Sequence, residues 1–91
     1  MSLTKEALDQ DVMKQELKQF LVDQLFVDMP VDTIRTDMGL ASEIGVDSLG
    51  FTELMAHLED KYGVSISQDE FVPENFRSLD TVVALVLSKL G

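Results

Sequence analysis

The sequence predicts an all-α fold: a small four-helix bundle, three main helices plus one short helix, with a long loop between helices one and two. Three observations carry this expectation. Apolar residues recur three and four positions apart in three separate stretches, which is the helical period. Capping and breaking residues bound those stretches. The chain has 91 residues, 45% of them hydrophobic, which fits one domain with a compact core and little room for a second.

Residues 1–10 are polar and read as a flexible N-terminal extension, with the folded domain over 11–91. The first helix is expected from Asp11 to Val27. Met13, Leu17, Phe20, Leu21 and Leu25 form its apolar stripe, and Lys14, Glu16, Lys18 and Asp23 fall largely off it. Thr4 and Asp9 are both candidate caps. Pro30 ends the pattern. A connection of about 20 residues follows, which is uncommon inside a compact domain. Ile34, Leu40 and Ile44 are expected to pin it to the core, with a short helical turn around 40–44. Gly39 and Gly45 suit positive-φ or close-approach positions.

The second helix is expected to start at Ser48, with Asp47 as its N-cap. Leu54, Leu58 and Tyr62 form an i, i+4, i+8 stripe, widened by Phe51 and Met55, that should dock on helix one. Gly50 is a weak helix former, tolerable in the first turn. Gly63 suits a helix end. Ser67 to Glu70 has the spacing of a capping box ahead of Phe71 and Val72. Pro73 limits that third element to one or two turns. Phe76 and Leu79 are candidate core anchors. Ser78 can cap the last helix, whose buried face is Leu79, Val82, Val83, Val86 and Leu90.

The charge narrows the function. Seventeen acidic residues against seven basic ones give a net charge of −10. That balance disfavours nucleic acid and anionic membrane surfaces and favours basic protein surfaces. There is no cysteine, which excludes disulfides, Cys-ligated metals and thiol catalysis by the chain itself. No 18-residue apolar stretch and no signal peptide are recognisable. A cytoplasmic monomer is the default expectation.

Catalytic and metal motifs are missing. The single histidine, His57, lies nine residues after Ser48 on the expected second helix. That spacing is roughly 13 Å along a helix, too far for a Ser–His pair. No zinc-protease or calcium-loop motif occurs, and no glycine-rich phosphate loop. No metal site is expected.

What remains is Gly45-Val46-Asp47-Ser48-Leu49. It places a hydroxyl in the first turn of a helix, where free N–H groups and the helix dipole favour a negative substituent. A phosphodiester on Ser48 would be well placed, although Asp47 adds like charge beside it. The residues alone leave Ser48 either an attachment point or an ordinary first-turn serine.

These five residues, followed by Glu53-Leu54 and Leu58-Glu59, resemble the G-x-D-S-L signature of the acyl carrier protein family. The likeness extends further. Phe20-Leu21 through Leu25 resemble the end of the family's first helix. Asp37, Leu40 and Ile44 resemble its loop anchors, and Asn75-Phe76-Arg77-Ser78-Leu79 the approach to its last helix. Residues 11–90 are covered. The resemblance implies a 4′-phosphopantetheine group, moved from coenzyme A onto Ser48 by a phosphopantetheinyl transferase. Its thiol would carry acyl groups as thioesters. It implies a non-catalytic carrier that presents cargo to ketosynthases, acyltransferases or other acyl-processing enzymes with basic docking patches. Asp47, Leu49, Thr52, Glu53, Glu59 and Asp60 would form the surface those partners recognise.

Several residues depart from the commoner pattern of fatty-acid carriers. Gly50 stands where an acidic residue is frequent, Phe51 is bulkier than usual, and Ser67 replaces a frequent proline. With the Asn75–Leu79 segment, these favour a discrete carrier of a polyketide or related secondary-metabolite pathway. The alternatives are a housekeeping fatty-acid carrier, a peptidyl or aminoacyl carrier, and an acidic helical adaptor without a prosthetic group.

Overall fold

The computed structural model describes residues 10–90. The expected extension at residues 1–10 lies outside them, apart from Gln10, and so do both candidate caps, Thr4 and Asp9. Three main helices form: α1 (Gln10–Asp23), α2 (Ser48–Tyr62) and α3 (Leu79–Leu90). A short π-type helix spans Leu40–Ile44, and one 3₁₀ turn spans Val31–Thr33. The described residues contain no strand, so the all-α expectation holds.

α1 buries Met13, Leu17 and Leu21. It stops at Asp23, four residues short of the expected end. The chain then turns sharply. The Gln24 N–H still reaches the Phe20 carbonyl at 2.8 Å, but the Val27 N–H folds back to Leu21 at 3.0 Å. Phe26 adopts the left-handed conformation, φ 56°. That conformation costs a non-glycine residue roughly 1–2 kcal/mol.

The long connection between α1 and α2 is held at two levels. Ile34, Leu40 and Ile44 are buried as expected, together with Met38 and Val46. The backbone is stitched to the segment entering α3: Leu40 N–H donates to the Arg77 carbonyl at 2.8 Å, and Asp80 N–H to Thr36 at 3.0 Å. A Thr36 side-chain hydrogen bond, then Lys14, hold the Asp80 carboxyl below its ordinary value. Gly45, at φ 93°, turns the chain out of the short helix toward α2.

α2 begins at Ser48 under an Asp47 cap, as expected, and ends at Gly63 in the left-handed conformation. Leu54, Leu58 and Tyr62 are its buried stripe. The helix meets α1 through side chains: His57 stacks on Phe20, with ring centroids 4.2 Å apart, and Lys61 pairs with Glu16. After α2, Val64 and Ile66 return to the core.

The short element expected after Ser67 is a pair of successive turns. Phe71 N–H bonds the Ser67 carbonyl at 3.0 Å, and Phe76 N–H bonds Val72 at 3.2 Å. Pro73 between them has no N–H to extend the first turn. Half of the capping box forms, because Glu70 accepts the Ser67 N–H at 3.0 Å. The Lys89 ammonium, then Ser67, hold the Glu70 carboxyl below its ordinary range. α3 is the most buried helix; Leu79, Val82, Val83 and Val86 are sealed in the core. Ser78 caps it reciprocally with Thr81.

Candidate functional site

The start of α2 is assembled from three adjoining residues. Val46 is buried and fixes the loop's last step. Asp47 is extended, φ −95°, and its Oδ1 accepts the Gly50 N–H at 2.8 Å. Ser48 is the first helical residue and is exposed. Among the described residues no hydrogen bond engages its hydroxyl, while its carbonyl accepts Thr52 Oγ1 at 3.0 Å. The result is a free hydroxyl on a rigid helix end, beside backbone N–H groups and the positive end of a dipole.

Gly50 is buried, and its missing side chain is structural. A Cβ there would lie 3.0 Å from Val46 Cγ1, 3.3 Å from Asp47 Oδ1 and 3.5 Å from Leu25 Cδ1. Glycine lets the cap, the loop and the end of α1 converge under Ser48.

The expected recognition residues divide into two groups. Asp47, Leu49, Thr52, Glu53 and Asp60 are all exposed. Leu49, Glu53 and Asp60 are four and seven positions apart in turn and share one helix face. Leu49 is 68% exposed. Glu59 differs. It is half-buried, and its Oε2 accepts the Ile66 N–H at 2.8 Å, tying α2 to the chain after it. It also lies eleven residues from Ser48, roughly 16 Å along the helix. His57 lies nine residues along α2 from Ser48 and packs on Phe20. Burial, then the Lys61 charge, push its pKa below the usual value.

Two grooves flank the helix start. One, about 490 Å³, is lined in part by Phe26, Asp28, Asp47, Leu49 and Glu53. The other, about 360 Å³, is mostly apolar, with Phe51, Phe71 and Phe76 among its walls. Those three rings form a chain of edge-to-face contacts, 6.5 and 4.9 Å between centroids. Phe51 and the Asn75–Leu79 segment, separate in the sequence, are thus one packing unit.

Phe26 was missed by sequence reasoning. Glycine or asparagine at a left-handed position after a helix announces the turn; a phenylalanine gives no such sign. It is 83% exposed.

The described residues hold no group of three or more acidic, histidine or cysteine side chains placed for a metal ion, and no helix long and apolar enough to cross a membrane. A covalently attached phosphodiester arm suits the residues present. Ser48 offers an unengaged, solvent-facing oxygen, and nothing at the helix end has to move to admit a substituent.

Comparison with known proteins adds a family match and three relatives. The family model described as the phosphopantetheine attachment site matches residues 15–86. An acyl carrier protein of Chlamydia trachomatis is 32% identical over 74 residues, covering 81% of this chain and 91% of the relative. One of Solidesulfovibrio magneticus is 29% identical over 77 residues, covering 85% and 94%. Aminoacyl carrier protein 2 of Bradyrhizobium diazoefficiens is 39% identical over 49 residues, 54% of this chain; the match spans about half of that relative, 55% of its length.

Proposed function

Because this chain belongs to the phosphopantetheine-binding carrier family, we propose that Ser48 takes the 4′-phosphopantetheine group and that the protein carries acyl intermediates between enzymes. Family membership makes the chain a non-catalytic acyl carrier with a phosphopantetheine attachment site. The choice of residue rests on one observation: Ser48 is an exposed, unengaged hydroxyl at the capped first position of α2, inside Gly45–Leu49.

In loading, Ser48 Oγ forms a bond to the pantetheine-side phosphorus of coenzyme A. The pyrophosphate bond breaks, 3′,5′-ADP leaves, and the hydroxyl proton passes to a base on the transferase. When attached, the group supplies a terminal thiol that holds acyl cargo as a thioester. The chain's own residues do the rest. The Asp47 cap and the buried Val46 hold Ser48 at a fixed place on the surface. The dipole of α2 favours the phosphodiester charge next to its N-terminus. Asp47, Glu53 and Asp60 present negative charge to basic partner patches, with Leu49 and Thr52 between them. Such charge speeds encounter and fixes orientation more than it adds affinity. Glu59 contributes mainly by holding the far end of α2.

The pathway reading is narrower. Gly50 has a packing reason, and Phe51 is joined to Phe76 through ring contact. These are two of the departures from the fatty-acid pattern; with Ser67 and the Asn75–Leu79 segment they support a discrete carrier of a polyketide or related secondary-metabolite pathway. A second reading, an aminoacyl carrier, is favoured by the likeness to the Bradyrhizobium protein. Loading tests the attachment: with coenzyme A and a broad-specificity phosphopantetheinyl transferase, the intact mass should rise by one phosphopantetheine group, and Ser48→Ala should not change. Incubating the loaded protein with competing malonyl- and aminoacyl-transferring enzymes then separates the two cargo readings.

A further inference from the structure

Among the described residues three large apolar side chains are well exposed: Val12, Phe26 and Leu49. Two of them, Phe26 and Leu49, line the same groove beside Ser48. Phe26 is the most exposed of the three, and its backbone is also held in the left-handed region. An aromatic residue there destabilises the turn that glycine would make without strain. Its ring contributes little to the core. At 83% exposure the Phe26 side chain buries little surface that could offset that strain, which points to a role at the surface.

Resting on the assignment of Ser48 as attachment residue, we propose that Phe26 is an apolar anchor for the phosphopantetheinyl transferase. The ring would enter an apolar notch on that enzyme bordered by lysine or arginine. Charge complementarity sets the border: Asp28, Asp47 and Glu53 line the groove around Phe26 and Leu49, on a chain of net charge −10. Position sets the partner. The transferase must bring the phosphorus of its bound coenzyme A to Ser48 Oγ before any arm exists to span a gap. Its surface therefore has to cover the residues next to Ser48, and Asp47 and Leu49 are walls of this groove. A large aromatic side chain that a partner covers and fully desolvates can carry a large share of the binding energy.

The test compares loading kinetics and thermal stability in the full 91-residue chain, with coenzyme A and a phosphopantetheinyl transferase as the probe. Phe26→Gly should lower kcat/KM about tenfold, through KM with kcat retained, while Tm rises by about 5 °C. Phe26→Ala should lose kcat/KM similarly without the rise in Tm, because the backbone strain stays. Val12→Ala, exposed but away from the groove, should load like the wild type. Wild-type kcat/KM in both Phe26 variants would overturn the anchor, and so would a loss confined to kcat, which would mean a disturbed Ser48. If the wild type itself takes no phosphopantetheine, the Ser48 assignment fails and the anchor fails with it.

Discussion

Asp47 Oδ1 accepts the backbone N–H of Gly50 at 2.8 Å, and residue 50 has no side chain to crowd that oxygen. This one bond fixes where α2 starts and so where Ser48 sits. Asp47→Ala should cost about 1 kcal/mol of stability, and Asp47→Asn only a fraction of that. Urea unfolding of the three proteins measures it. Equal losses in both variants would mean that the carboxylate's charge, rather than its hydrogen bond, stabilises the helix start.

Leu54 and Leu58 have no exposed surface, whereas Leu49 on the same helix is 68% exposed. Truncating either buried leucine to alanine should cost about 2–5 kcal/mol. Leu49→Ala should stay within about 0.5 kcal/mol. Chemical denaturation distinguishes these, and a Leu49→Ala loss as large as that of Leu54→Ala would contradict the assignment of faces on α2.

Much of this was legible in the sequence, for physical reasons that differ by element. The apolar stripes of α1, α2 and α3 repeat over several turns, and such repetition reads clearly. Asp47 and Gly63 announce the ends of α2 because a cap and a left-handed stop each need particular residue types. The end of α1 was not legible. Leu25 continues the helical spacing, yet the chain leaves the helix at Asp23 and turns through a left-handed Phe26, a residue type that announces no stop. The backbone bonds that join the loop to the start of α3, Leu40 N–H to Arg77 and Asp80 N–H to Thr36, carry no side-chain signature. Ser48 could be singled out, since it sits in a recognisable motif. The inward carboxylate of Glu59 could not, since its partner is a backbone N–H seven residues on.

Tyr62 is buried with a hydroxyl that has no hydrogen-bond partner among the described residues. Burial, then the nearby Glu16, push its pKa up to about 12. Tyr62→Phe removes the orphan group and keeps the ring, so stability should rise by about 1 kcal/mol. The folded state favours the neutral phenol. Its contribution is therefore complete below pH 10 and is lost as pH rises from there toward about 12. Guanidinium unfolding at neutral and alkaline pH checks both. A Tyr62→Phe protein less stable than wild type would show that the hydroxyl has found a partner.

His57 gives a dependence at the acid side. Its pKa is lowered from 6.5 by burial, then by Lys61, against the opposing charges of Asp60 and Glu16. The fold favours neutral imidazole, so this contribution is fully present above pH 6.5 and is lost as pH falls through the lower folded value. His57→Phe keeps an aromatic ring on Phe20. The stability of the variant relative to wild type should grow as pH drops below 6.5 and then level off. A difference independent of pH across pH 5–8 would show that the histidine does not titrate against folding; ~pH 5–8 is the range in which an ordinary histidine changes charge.

The central claim is that one hydroxyl, Ser48, accepts the prosthetic group. Peptide mapping by tandem mass spectrometry after loading from coenzyme A tests it most directly. The account predicts that the phosphopantetheine mass appears on the peptide containing Gly45–Leu49, with fragments placing it on Ser48. The same mass on Ser42, or on any other hydroxyl, would contradict it.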